Sequence, residues 1–364
     1  MQRFKNILIV VKEKTENKTV VERAVTLAQR NEARVTVVNI VNELPRQSPR
    51  PLTTELPADA PGQVFDIIEE WPPDADPPIT PEPSATIQES LSEWPPGAEM
   101  PVTEPAVVIR ERIVEEKSQR LEQWGDFVRR SGVQVSGKVL YGTPFLEIIR
   151  EVLRNEHDLV MTTAEGRVDL KERLFGSTTM HLLRKCPCPV WVVKPSPPEQ
   201  CTRILAAVDP NPLDEERQAL NIKIMDLATS LARRQQSELV VVHTWTFPVE
   251  HFLRSGHFGR SSEVDKWIRE ARDQHRRWLA EFFQPYALKD LKHQVYMLKG
   301  EAGRLIPELA AEKKVDFIVM GTVSRTGVAG LLIGNTAEKI LRLVDCCVLA
   351  VKPDGFVTPV RLDE

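Results

Sequence analysis

The sequence predicts an α/β chain in which a parallel sheet with helices on both faces is built twice in succession, and three observations predict it. Residues 157–195, HDLVMTTAEGRVDLKERLFGSTTMHLLRKCPCPVWVVKP, align without a gap on residues 315–353, VDFIVMGTVSRTGVAGLLIGNTAEKILRLVDCCVLAVKP, at a constant offset of 158. Apolar runs of strand length alternate with amphipathic stretches of helical length in both halves. The runs are continuous rather than alternating, as in strands buried on both faces. Such alternation implies parallel neighbours joined by right-handed crossovers.

In order, the first half reads ILIVVK as a strand, TVVERAVTLAQRNEA as a helix and RVTVVNIV as a strand. A helix (RERIVEEKSQRLEQWGDFVRRSG), a strand (VQVSGKVL), a helix (FLEIIREVLRNEH) and two further strands (DLVMTT, PVWVV) around a glycine loop complete it. The second half repeats the plan with ILAAVD, NIKIMDLATSLARRQQS, ELVVVHTW, EVDKWIREARDQHRRWLAEFFQPYA, HQVYMLKG, RLIPELAAEKK, DFIVMGT and CVLAV. The offset of 158 pairs Gly142 with Gly300, Asp158 with Asp316, Gly176 with Gly334 and Lys194 with Lys352. The openings KNILIVVKE and TRILAAVDP match at 197, so the first half is longer by 39 residues. That excess falls in the proline-rich, acidic stretch of about residues 44–107, too rich in proline for helix or central strand and too poor in apolar residues for a core. Trp71 and Trp94, each before Pro-Pro, read either as docking anchors or as parts of a solvated loop. KPSPPEQ marks the boundary between halves, and the closing strands PVWVV and CVLAV read as sheet edges that could pair with each other.

Composition narrows the function. A net charge of −4 over 364 residues argues against a nucleic-acid partner. The apolar run at residues 7–11 is too short for a membrane span or a signal sequence, so the expected location is the cytoplasm. Five cysteines without a zinc spacing read as buried strand-edge thiols. Neither a nucleophile elbow nor a motif-spaced carboxylate pair is present, which argues against a fast enzyme and leaves slow ATP hydrolysis open.

An open parallel sheet binds its ligand beyond the carboxyl ends of the strands, where strand order reverses. Asp209 closes the first strand of the second half, and Met320 and Gly321 close its fourth. Gly334, Asn335 and Thr336 open the next helix, whose exposed N–H groups suit an anion. Asn335 and Thr336 are equally good helix caps, so the loop reads both as a phosphate cradle and as a plain helix start.

The sequence VMGTVSRTG…LLIGNTAE, a strand-end aspartate and a closing C-x-V-L-x-V-K-P together resemble the universal stress protein family in its tandem form. The resemblance covers nearly all of the chain outside the proline-rich stretch. It implies two Rossmann-like (adenine nucleotide alpha hydrolase-like) domains of five parallel strands, at residues 1–195 and 202–355, with a tail at 356–364. It also implies an intramolecular pseudo-dimer and an ATP-type ligand, which would come with Mg2+; the edge-strand reading leaves room for a further homodimer of such chains. By that resemblance Asp209 would meet ribose or base, Thr244 would edge the adenine, and Met320 and Gly321 would line the cavity. Gly334, Asn335 and Thr336 would then hold phosphates. Ser324 stands where the family has its second glycine, and Asn335 where it has Ser or Thr. The first half departs further, with Lys12 in place of Asp209 and Thr163 in place of Gly321.

His243, Trp245 and Phe247 read as a buried strand end or as a cavity wall, and Trp267, Trp278 and Phe282 as a core stripe or as the lining of an apolar cavity. The expected function is therefore a ligand-binding regulatory protein of bacterial stress survival. The alternatives are a binder of an apolar or lipid-like ligand and a ligand-free scaffold for protein or RNA.

Overall fold

The computed structural model describes residues 4–12, 17–41, 106–164, 175–194, 200–255, 262–322 and 334–362. Trp71, Trp94 and Ser324 lie outside them. By their internal contacts Met1–Glu43 and Ile113–Glu364 form one compact unit and Leu44–Arg112 another.

The first half contributes β1 (Asn6–Val10), α1 (Lys18–Asn31), β2 (Arg34–Val41), α2 (Ala106–Arg130), β3 (Val135–Tyr141), α3 (Pro144–Asn155), β4 (Leu159–Thr163), α4 (Ser177–Lys185) and β5 (Val190–Val193). The second contributes β6 (Arg203–Ala207), α5 (Glu215–Gln235), β7 (Glu238–Trp245), α6 (Glu250–Ser255), α7 (Ser262–Phe283), β8 (His293–Lys299), α8 (Ala302–Glu312), β9 (Phe317–Gly321), α9 (Asn335–Leu343) and β10 (Cys347–Val351). The fold is α/β with Rossmann-like halves, as the repeat predicts.

The described strands form one sheet in the order β3-β2-β1-β4-β5-β10-β9-β6-β7-β8. Neighbours within each half are parallel, whereas β5 and β10 pair antiparallel, Trp191 opposite Leu349 and Val192 opposite Val348. The two closing strands thus satisfy each other's edges, and β3 and β8 remain as the outer strands. One apolar core lies under α1, α2, α5 and α7, and another on the opposite face under α3, α4, α8 and α9. After β10 the chain returns to the first half. Val360 is buried in the second of these cores, and Arg150 Nε donates to the Arg361 carbonyl at 3.2 Å.

Two elements differ from the sequence expectation. Helix α5 begins at Glu215, earlier than its apolar periodicity suggests, because Asp214 caps it by accepting from the Arg217 amide at 3.0 Å and Glu215 and Glu216 favour its first turn. Helix α6 is a single short turn after β7 that lacks a sustained apolar stripe to announce it.

Candidate functional site

In the second half the order reverses beside β6, which has β9 on one side and β7 on the other. Asp209 stands just past the end of β6. Its amide donates to Asn221 Oδ1 at 2.9 Å, and its carboxylate faces Arg217 Nη1 at 3.4 Å while about a third of the side chain (34%) stays exposed. Arg217 also reaches Asp214, at 3.1 Å, so one guanidinium ties two carboxylates at the start of α5. Behind Asp209, the buried Asn221 Nδ2 and Gln218 Oε1 have no hydrogen-bond partner among the described residues.

Thr244, half-buried near the end of β7, pairs in register with Leu298 of β8. Strand alternation puts it on the face of Val242, which shares an apolar cluster with the buried Met320. Gly321 ends β9. A Cβ there would come within 2.8 Å of Leu220 Cδ2, so the tip of an α5 side chain packs closely against the backbone at this point.

Gly334 caps α9 with extended backbone (φ −62°, ψ 138°), and its N–H donates to the Thr322 carbonyl at 3.1 Å. That bond closes the neck of the glycine loop. It also corrects the capping expectation: Asn335 and Thr336 are the first two residues of α9, and no side chain caps the helix. The cap falls to Gly334 because the bond to Thr322 fixes the turn one residue earlier. The first-turn amides keep the partial positive charge of a helix start.

His243, fully buried, lies on the opposite face of β7 from Thr244. Its Nδ1 is 3.3 Å from the Val208 carbonyl and its Nε2 is 3.0 Å from His275 Nδ1. A carbonyl only accepts, so His243 Nδ1 carries a proton; in the neutral imidazole Nε2 then accepts from His275 Nδ1–H. The remaining nitrogen of His275 is the one free to gain a proton. Burial holds the His275 pKa below the ordinary value, against the attraction of Asp209, which raises it. Trp245 is tilted against His275 at 5.6 Å and Trp278 meets it edge-on at 5.1 Å, so these rings pack around the histidine pair.

The first half is different at the equivalent place. Lys12 Nζ donates to the Thr163 carbonyl at 3.2 Å and to Thr179 Oγ1 at 3.1 Å. Its ammonium therefore bridges the end of β4 and the first turn of α4.

Sequence reasoning misses Arg217, Asn221, His275, Thr322 and Lys352. Arg217 has a local signal, the spacing Asp214-x-x-Arg217. His275 and Thr322 acquire their meaning from partners far along the chain.

The chain belongs to the universal stress protein family, whose model matches residues 3–72, 91–194 and 201–352. It is similar to universal stress protein E of Escherichia coli K12, 30% identical over 259 residues, which are 70% of this chain and 80% of that protein. It is also similar to the universal stress protein E homolog of Haemophilus influenzae, 23% identical over 96% of this chain and 98% of that one. Among solved structures, a functionally unknown protein of Pseudomonas aeruginosa PAO1, PA1789, superposes with a TM-score of 0.61 at 21% identity. That superposition covers 97% of this chain and 94% of the other, and it shows the shared fold. No helix among the described residues is long and apolar enough to cross a membrane.

Proposed function

We propose that this chain is a ligand-binding regulatory protein whose second domain, residues 202–355, captures an ATP-type nucleotide. One observation carries the reading. A partly exposed carboxylate (Asp209), an orphaned amide behind it (Asn221 Nδ2) and a helix start without a side-chain cap (Gly334 to Thr336) stand at the carboxyl end of adjacent strands. Ribose hydroxyls would donate to Asp209, which must then share its charge with Arg217. Thr244 and Met320 would border the base, and the first-turn amides of α9 would meet the phosphates. Magnesium would arrive on the phosphates, since no group of three metal-binding side chains gathers among the described residues. The first domain, residues 1–195, is not a nucleotide site in this reading, because the Lys12 ammonium spans the corresponding place. Ligand capture would set the conformation of the glycine loop, and a protein partner would read that surface.

Native mass spectrometry with Mg-ATP tests the proposal. The expected result is one nucleotide per chain, lost in Gly334→Asp, which puts a carboxylate where the phosphates would lie. An adduct that survives Gly334→Asp, or the absence of any nucleotide adduct, would overturn it.

A further inference from the structure

A cleft lies between α1 and α5, on the face of the sheet opposite α4 and α9, and what is drawn from it does not depend on the nucleotide reading. Helix α1 packs over β1, β2 and β4, and α5 chiefly over β6 and β9. The two helices straddle the antiparallel seam of β5 and β10. What is left between them is a cleft of about 540 Å³ with Trp191 among its lining residues, a volume typical of small-molecule sites.

The lining repeats across the internal symmetry. Both helices end on a residue in the left-handed conformation, Glu32 with φ 52° and Gln236 with φ 55°. At the same distances before those caps each helix turns a leucine and an arginine to the cleft, Leu27 with Arg30 and Leu231 with Arg234. Arg23 adds a third guanidinium. The one carboxylate of the lining, Glu22, already faces Lys18 Nζ at 3.8 Å. Arg30 is exposed and has no acidic partner among the described residues. Trp191 is 3% exposed, meets Phe317 edge-on at 5.1 Å, and its Nε1–H lacks an acceptor among the described residues. A buried donor left unpaired is destabilising, and an acceptor bound in the cleft is one means of relieving it.

We propose that this cleft binds a small organic anion with an apolar or aromatic body. The leucines and the indole take the body, and the guanidinium groups of Arg30, Arg234 and Arg23 take a carboxylate, sulfonate or phosphate head. Because equivalent residues of both halves contribute, the site exists only in the paired tandem chain.

The test uses the full chain and two probes that share one aromatic body, 1-anilinonaphthalene-8-sulfonate and the uncharged N-phenyl-1-naphthylamine, followed by fluorescence titration. One sulfonate probe per chain is expected, bound more tightly than the neutral probe by about tenfold or more, as charge-assisted hydrogen bonds require. Arg30→Ala, at an exposed position, is expected to remove most of that preference without changing the melting temperature, and Arg30→Lys to restore part of it. Trp191→Phe keeps an aromatic floor, deletes the N–H and is expected to weaken the sulfonate probe. Equal affinity for the two probes, or an unchanged affinity in Arg30→Ala, would each overturn the proposal.

Discussion

Lys352 Nζ lies 2.7 Å from Thr322 Oγ1 and 2.7 Å from the Leu183 carbonyl, so one buried ammonium joins the neck of the second half's glycine loop to the last turn of a first-half helix. It also donates to the Arg184 carbonyl at 3.2 Å, and the Phe356 ring covers it at 4.8 Å. Carbonyls at a helix end are orphaned acceptors, and a cation there is favoured by the dipole. Its repeat partner Lys194 pairs with Asp345 near the surface instead, at 3.1 Å. Where Thr322 offers a hydroxyl, the first half has Ala164.

Burial lowers the Lys352 pKa from 10.5 to about 8. In the window between those values the unfolded chain holds the proton and the folded chain does not, so this group makes stability rise with pH there. Relative to Lys352→Met, the wild type should gain on the order of 3 kcal/mol between pH 8 and 10.5. Chemical denaturation of both proteins at several pH values checks it; a constant difference across the window would contradict the lowered pKa.

Gly321→Ala should cost about 1 kcal/mol, because the new Cβ meets the Cδ2 tip of the half-buried Leu220 at 2.8 Å and that side chain must leave its rotamer. The clash is with the end of a side chain, so Leu220→Ala in the same molecule should recover part of the loss. Denaturation of the two single variants and the double variant gives the coupling. Strict additivity would mean that the glycine serves something other than α5 packing.

Asp209→Ala should weaken nucleotide binding by roughly 10- to 100-fold, the range for hydrogen bonds to a charged acceptor, and calorimetric titration with Mg-ATP measures it. The variant should fold normally, since the side chain is partly exposed and Asn221 meets the Asp209 backbone rather than its carboxylate.

His275 has a lowered pKa, so the folded chain binds its proton less readily than the unfolded chain. Its contribution to stability is therefore complete at neutral pH and is lost as pH falls below the ordinary histidine value of 6.5. In His275→Gln the fall in melting temperature between pH 7.5 and 5 should be smaller than in the wild type. His157 has a pKa lowered by burial as well, and its loss should add independently.

The fold was legible because its signals are periodic and repeated. Ile7 to Val10, Val240 to Val242 and Ile318 to Met320 are continuous apolar strands in the sequence and buried strands in the molecule. The pairing of Trp191 with Leu349 was anticipated as the mating of two closing edges. The site was legible only in outline. Asp209, Met320 and Gly334 do come to the carboxyl ends of neighbouring strands, yet the role expected of Asn335 as a cap passes to Gly334 through the bond to Thr322. Nothing local to Gly321 announces that Leu220 fills the space beside it.

By itself, then, the sequence determined what depends on short-range pattern: the strands and the longer helices in their order, the duplication, and the family. Tertiary structure alone decided the Lys352 bridge, the Asp209–Arg217 pair, the His243–His275 pair and the cleft over Trp191. Each of these joins residues that are separated along the chain, and the energy of such a contact depends on distance and burial rather than on spacing in sequence. A lysine at the end of a repeated motif looks the same in both halves. Only the opposing elements decide that Lys352 is buried against two carbonyls and that Lys194 pairs with Asp345 nearer the surface.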